Sequence, residues 1–183
     1  MRMPTLASPL AFELCDGTCG DPQPSADNKN VSCAPNANCK RSCYCEVFHR
    51  KKGSADTEPW RVAPTDKNKL SICRPAAQEY KCFCVKPILE GTTAVGDTTY
   101  AVRYILCDGG GSCSLDAVEV VIVGMDKHTE MKCSGTCNGD CKCTLFKLKV
   151  GGKDVSKAKW ELVGKDKQIP WEEHTVYRCF CLK

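Results

Sequence analysis

Two segments of this chain are close copies: EYKCFCVK at residues 79–86 and VYRCFCLK at residues 176–183, with their first cysteines 179 − 82 = 97 residues apart. An aromatic residue held between two cysteines constrains the local fold strongly. Side chains two residues apart leave a strand on the same face, so Cys82 and Cys84 point one way and Phe83 the other. The same alternation separates Cys179 and Cys181 from Phe180. Two sulfurs placed in this way are badly oriented for bonding to each other. They are well placed to reach separate partners on neighbouring segments, and the Cys43/Cys45 and Cys141/Cys143 pairs are the natural neighbours. Each such strand is expected to be stapled on one face and packed through phenylalanine on the other.

With the two segments in register, most of the chain follows. Leu14-Cys15-Asp16-Gly17 answers Leu106-Cys107-Asp108-Gly109, and Trp60-Arg61-Val62 answers Trp160-Glu161-Leu162-Val163. Cys15, Cys19, Cys33, Cys39, Cys43, Cys45, Cys82 and Cys84 correspond in order to Cys107, Cys113, Cys133, Cys137, Cys141, Cys143, Cys179 and Cys181. Phe48 and Phe146 follow the two other cysteine pairs at the same distance. The strand signals are short β-branched or aromatic runs bounded by glycines, and helical periodicity is faint. The expected fold is a small disulfide-rich β protein of two tandem homologous β-rich units with little helix. The first unit spans residues 1–86, a linker 87–98 and the second unit 99–183.

Units of about 90 residues bury too little surface for a core alone to give more than marginal stability. Seventeen cysteines among 183 residues point to covalent reinforcement in an oxidising, extracytoplasmic compartment. Each bridge is expected to contribute roughly 2–4 kcal/mol. Eight cysteines admit about a hundred connectivities, so the pairing stays open at this level. A thiol-rich metal or redox protein is the rival reading, since C-x-C occurs in soft-metal sites. Against it, C-x2-C is absent, and His49, His128 and His174 do not correspond between units. No metal site or cofactor is therefore expected.

The net charge of +4 is spread over both halves. The cluster His49-Arg50-Lys51-Lys52 precedes Gly53 and reads as a solvated turn, so no nucleic-acid partner is expected. No apolar run reaches the roughly 18–20 residues of a membrane span. The opening residues lack a sustained apolar stretch, so no signal peptide is visible in this numbering. Serine-hydrolase, metalloprotease and nucleotide-binding motifs are missing, and the chain reads as non-enzymatic. Cys107-Asp108-Gly109-Gly110-Gly111-Ser112-Cys113 reads as a flexible turn. Asp16 and Asp108 are expected to form turns, as is Asn138-Gly139, and Asn30-Val31-Ser32 fits a glycosylation sequon.

Repeated features serve the frame, so function is sought where the units diverge. Opposite the proline-bearing loop GDPQPSADNKNVS, the second unit carries an apolar stretch with Val118, Val120, Val121, Ile122 and Val123. This stretch reads as an added strand, either in the core or at an interface edge. Cys73 is the unmatched thiol, inert, bridging or nucleophilic. Trp171 is either a lid on its own core or a recognition anchor. Trp60 and Trp160, being matched, are expected in the core. The functional expectation is a secreted binding or structural subunit that assembles through protein contacts or self-association. A double-headed inhibitor is a narrower variant.

Overall fold

The alternation of large apolar residues and cysteines makes nearly every element a strand. The computed structural model describes residues 4–24, 30–34, 38–40, 42–67, 72–73, 78–107 and 111–183. The first half holds β1 (Phe12–Leu14), β2 (Gly17–Thr18), β3 (Gln23–Pro24), β4 (Asn30–Ser32) and β5 (Asn38–Cys39). It continues with β6 (Tyr44–Lys51), β7 (Arg61–Val62), β8 (Ile72–Cys73) and β9 (Gln78–Pro87). A hairpin, β10 (Glu90–Val95) and β11 (Thr98–Arg103), leads into the second half. There follow β12 (Ser114–Val120), β13 (His128–Ser134), β14 (Lys142–Lys149), β15 (Glu161–Gly164), β16 (Gln168–Pro170) and β17 (Thr175–Leu182). One 3-10 turn at Val155–Lys157 is the only helical element among the described residues, and no described helix is long and apolar enough to cross a membrane.

Each half has an inner and an outer sheet. The inner sheets run β1-β9-β6-β7 and β15-β14-β17, and the outer sheets β3-β4-β8 and β12-β13-β16. The halves match in detail. Leu14 pairs with Val85 in the first, and the equivalent Leu106 bridges Leu182 in the second. The segment read as a linker contributes β10, which pairs along its whole length with β11.

The inner sheets face each other. Phe48, Trp60, Phe83 and Val85 from one half join Phe146, Leu148, Trp160 and Leu182 from the other in one buried cluster, with Phe180 packed against it. Trp60 and Trp160 thus both lie in the core. Edge-on ring contacts cross between halves, Phe12 to Trp160 at 5.6 Å and Tyr44 to Phe180 at 5.9 Å. The reverse face of each inner sheet meets its own outer sheet through a smaller cluster, Val31, Val47, Ala63 and Cys82 in the first half and Met131, Leu145 and Tyr177 in the second.

This layering explains the repeated Cys-Phe-Cys. Its phenylalanine enters the shared central core, and its cysteines face outward to be bolted to the covering segments. Cys33–Cys82 ties the residue just after β4 to β9, and Cys133–Cys179 ties β13 to β17. Cys39–Cys84 and Cys137–Cys181 take the second cysteine of each motif. Cys15–Cys43, Cys19–Cys45, Cys107–Cys141 and Cys113–Cys143 complete the set. Numbering the bridged cysteines one to eight within each half, Cys73 left out, both halves pair first with fifth, second with sixth, third with seventh and fourth with eighth.

Two expectations are corrected here. The Cys43/Cys45 and Cys141/Cys143 pairs are neighbours of the Cys-Phe-Cys motifs but not their bonding partners. Cys45 lies directly opposite Cys84, and Cys143 opposite Cys181, on adjacent strands of the same sheet, and all four reach out of the sheet instead. Second, the apolar strand stops at Val120. Val120 faces His128, the first residue of β13, and Gly124 at φ +83° turns the chain back, so Val121, Ile122 and Val123 leave the ladder.

One alignment also shifts. Sequence register matches Gly17 with Gly109, whereas spatially Gly17 faces Cys39 as Gly111 faces Cys137. Both positions have φ in the glycine-favouring region, +133° and +126°. A Cβ there would meet the backbone oxygen of Asn38 at 2.4 Å or of Thr136 at 2.7 Å. Asp108 lies outside the described residues, as do Gly109 and Gly110. Asp16 is exposed and pairs with Lys40 at 3.1 Å, and Asn138 accepts from the Cys141 amide in the expected tight turn.

Candidate contact surface and the seam beneath it

The β12–β13 hairpin is where the two halves differ most. Among the described residues, the equivalent edge strand of the first half, β3, has two residues, and Pro22 and Pro24 deny a neighbouring strand amide donors there. In the second half β12 has seven residues, SLDAVEV, with no proline and an unbroken register to β13. Leu115 and Ala117 pack against the Met131, Leu145 and Tyr177 cluster. Among the described residues, the other edge of β12 carries no strand.

Beyond Val120 the loop is apolar and open to solvent. Val121 is 62% exposed, Ile122 49%, Val123 101% and Met125 66%. Of the positions singled out in sequence, Val118 and Val120 are half-buried within β12, and Val121, Ile122 and Val123 form the tip. None of the five belongs to a core cluster. Two cystines clamp the base: Cys113, just before β12, to Cys143, and Cys133 in β13 to Cys179. On the hairpin, His128 Nε2 lies 2.7 Å from Glu130 Oε2, and Gln168 Nε2 donates to Glu130 Oε1 at 2.7 Å. These bonds, Gln168 first, hold the Glu130 carboxyl below its usual range. The pair lines neither of the seam clefts described below.

Trp171 lies elsewhere. Half-buried, it packs on the second half's outer cluster, and its Nε1 donates to Thr65 O of the first half at 3.2 Å. It is part of the joint between the halves. Cys73 pairs through its backbone with Asn30, at the position where Pro170 faces Glu130 in the other half. The side chains of Cys73 and of sequon residue Asn30 lie outside the described residues.

Sequence reasoning missed the polar seam between the inner sheets. Glu46, 3% exposed, receives Arg178 Nη2 at 2.5 Å and Arg178 Nε at 3.1 Å, while Tyr44 Oη donates to it at 2.6 Å. Thr65 Oγ1 accepts from Arg178 Nη1 at 3.1 Å and from the Tyr177 amide at 2.9 Å. The Thr65 amide in turn donates to Thr175 O at 2.9 Å. Burial works against the Arg178 charge, and the Glu46 carboxylate with Tyr44 outweighs it, so its proton is held more tightly than usual. Burial first, and then Glu46, pushes the Tyr44 hydroxyl well above the ordinary tyrosine range. The signal available in sequence was a mismatch: Glu46 pairs with Phe83 where Thr144 pairs with Phe180, placing a carboxylate where its counterpart is neutral.

Two clefts of about 430 and 390 Å³ open along this seam and share Ser42, Pro87 and Leu106. Arg178 and Tyr44 line the smaller one, but both are committed to Glu46. Sulfurs also cluster: Cys39 Sγ lies 3.7 Å from Cys19 Sγ and 3.6 Å from Cys45 Sγ. All the grouped sulfurs belong to disulfides, and a thiolate metal site at these positions would require the staples to be reduced first.

The fold defined by these layers is a disulfide-stapled all-β sandwich of two similar halves. Comparison with protein-family models, with curated proteins and with solved structures found no match to any of them. Eight cystines point to an oxidising, extracytoplasmic environment.

Proposed function

We propose that this chain is a secreted, non-enzymatic binding or structural subunit that acts through protein–protein contacts, with the β12–β13 hairpin as its contact surface. The observation that carries the reading is the exposed apolar tip formed by Val121, Ile122, Val123 and Met125. Contiguous apolar surface of this kind is uncommon on a monomer unless something covers it. The mechanism is rigid presentation. Because the hairpin base is cross-linked through Cys113–Cys143 and Cys133–Cys179, little backbone freedom is left to lose when a partner docks.

The test is chemical cross-linking of the oxidised protein in its native extracellular setting, comparing wild type with a Val121→Asp/Val123→Asp variant. Cross-linked complexes in wild type that are lost in a fully oxidised variant are expected. A wild-type chain that forms no complex, with itself or any other protein, would overturn the reading.

A further inference from the structure

We infer that the Lys52–Gly53 bond is a processing site, cut by an endoprotease that recognises paired basic residues, and that the mature protein is two chains held together by disulfides. The inference goes beyond the contact reading and does not depend on the β12–β13 hairpin. Arg50-Lys51-Lys52 is the longest run of Lys and Arg in the chain. The equivalent loop of the second half, between β14 and β15, carries Lys153, Lys157 and Lys159 but no two adjacent basic residues. A protease of this class needs two neighbouring cations, which its acidic subsites hold by charge, just ahead of a bond that the chain can present.

The fold presents such a bond here. Strand β6 ends at Lys51, and Lys51, Lys52 and Gly53 are all exposed, as are residues 55–58 beyond them. Gly53 turns at φ +83°, and nothing lies within 4 Å of where a Cβ would stand. The turn is closed on Lys51 O alone, by the Ser54 amide at 3.2 Å and the Ser54 hydroxyl. Nicking concentrates at exposed loop tips because little packing is lost when the backbone opens into a protease. Arg50 is held back, since it pairs with Glu79 and its guanidinium carbon lies 4.2 Å from the centre of a Trp60 ring. The presented pair is therefore Lys51-Lys52. The other basic pair, Lys40-Arg41, is set between Cys39 and Cys43, which are bridged to two different segments. Its Arg41 lies outside the described residues.

The molecule is also built to survive the cut. Hydrolysis takes up one water and leaves a carboxylate on Lys52 and an amine on Gly53. Upstream of it, β6 stays paired with β9 from Tyr44 to Lys51. Cys33–Cys82 and Cys39–Cys84 span the cut, and the other six bridges lie wholly on one side of it. The product remains one covalent molecule with its core intact.

The deciding experiment is amino-terminal sequencing of the oxidised protein recovered from its native extracellular setting, run with and without reduction. A second amino terminus at Gly53 is expected, on a chain that separates from the first only after reduction. An uncut chain, or a cut that opens at Ser42 or any other residue in place of Gly53, would overturn the inference. A second measurement treats the purified oxidised chain with an endoprotease of paired-basic specificity. Lys51→Gln, an exposed substitution outside every core cluster, should slow cleavage before Gly53 about tenfold or more, while Lys153→Gln leaves the rate unchanged. An unchanged thiol count verifies the fold of both variants. Cleavage of Lys51→Gln at the wild-type rate would overturn the inference as well.

Discussion

Arg178 grips both carboxylate oxygens of Glu46, a residue 132 positions earlier in the chain, and so joins the two halves by a paired charge inside their seam. Breaking a buried pair strands the remaining charge without water, which costs more than the pair itself contributes. Glu46→Gln should therefore destabilise the oxidised protein by about 3 kcal/mol, the lower end for such a pair because a quarter of the Arg178 side chain reaches solvent. Replacing both residues by methionine should recover most of that loss. Denaturant melts of the single and double variants at fixed oxidation state check both expectations.

Tyr44 donates into the same carboxylate, and burial raises its pKa, as it does that of Tyr177. The folded state therefore favours the protonated phenol. Its contribution is complete below the unfolded-chain value of 10.0 and is lost as pH rises from there through the folded pKa. Phenolate absorbance should show these two tyrosines ionising above the ordinary tyrosine range. Tyr44→Phe should flatten part of the stability loss on the alkaline side.

Substitution at the hairpin tip separates stability from association. Since Val121 and Val123 are largely outside the core, changing both to aspartate should move unfolding free energy by no more than about 0.5 kcal/mol. Denaturant unfolding checks this. A loss of several kcal/mol would mean that the loop packs against the fold.

Sixteen of the seventeen cysteines lie in the eight bridges, which leaves Cys73. Alkylation under denaturing conditions should mark Cys73 alone before reduction and seventeen thiols after it. Peptide mapping should recover the same pairing order in each half. Removing Cys33–Cys82 by double serine substitution leaves Cys39–Cys84 closing the same region, so the loop released is short and the loss should be about 2–3 kcal/mol in the chain-entropy account.

Gly111 tests the corrected alignment. Alanine there meets the Thr136 carbonyl and a φ of +126°, so Gly111→Ala should impair oxidative folding of the second half. Disulfide yield on refolding measures it.

The alternation around Phe83 and Phe180 was legible in sequence because strand geometry is local: the period of two assigns cysteine and phenylalanine to opposite faces whatever lies beyond. The repeat register likewise placed Trp60 with Trp160 and Phe48 with Phe146, since equivalent residues fill equivalent sites. The extent of the apolar strand was misread past Val120, because apolar content alone does not reveal where a pairing partner ends.

By itself, then, the sequence determined a β-rich frame of two similar halves and the outward aim of its cysteines, both of which follow from side-chain periodicity along single strands. Tertiary structure decided which sulfurs meet, that Phe48 and Phe146 share one core, and that Glu46 reaches Arg178. These relations depend on how separate strands stack in space, and a one-dimensional pattern carries no distance between them.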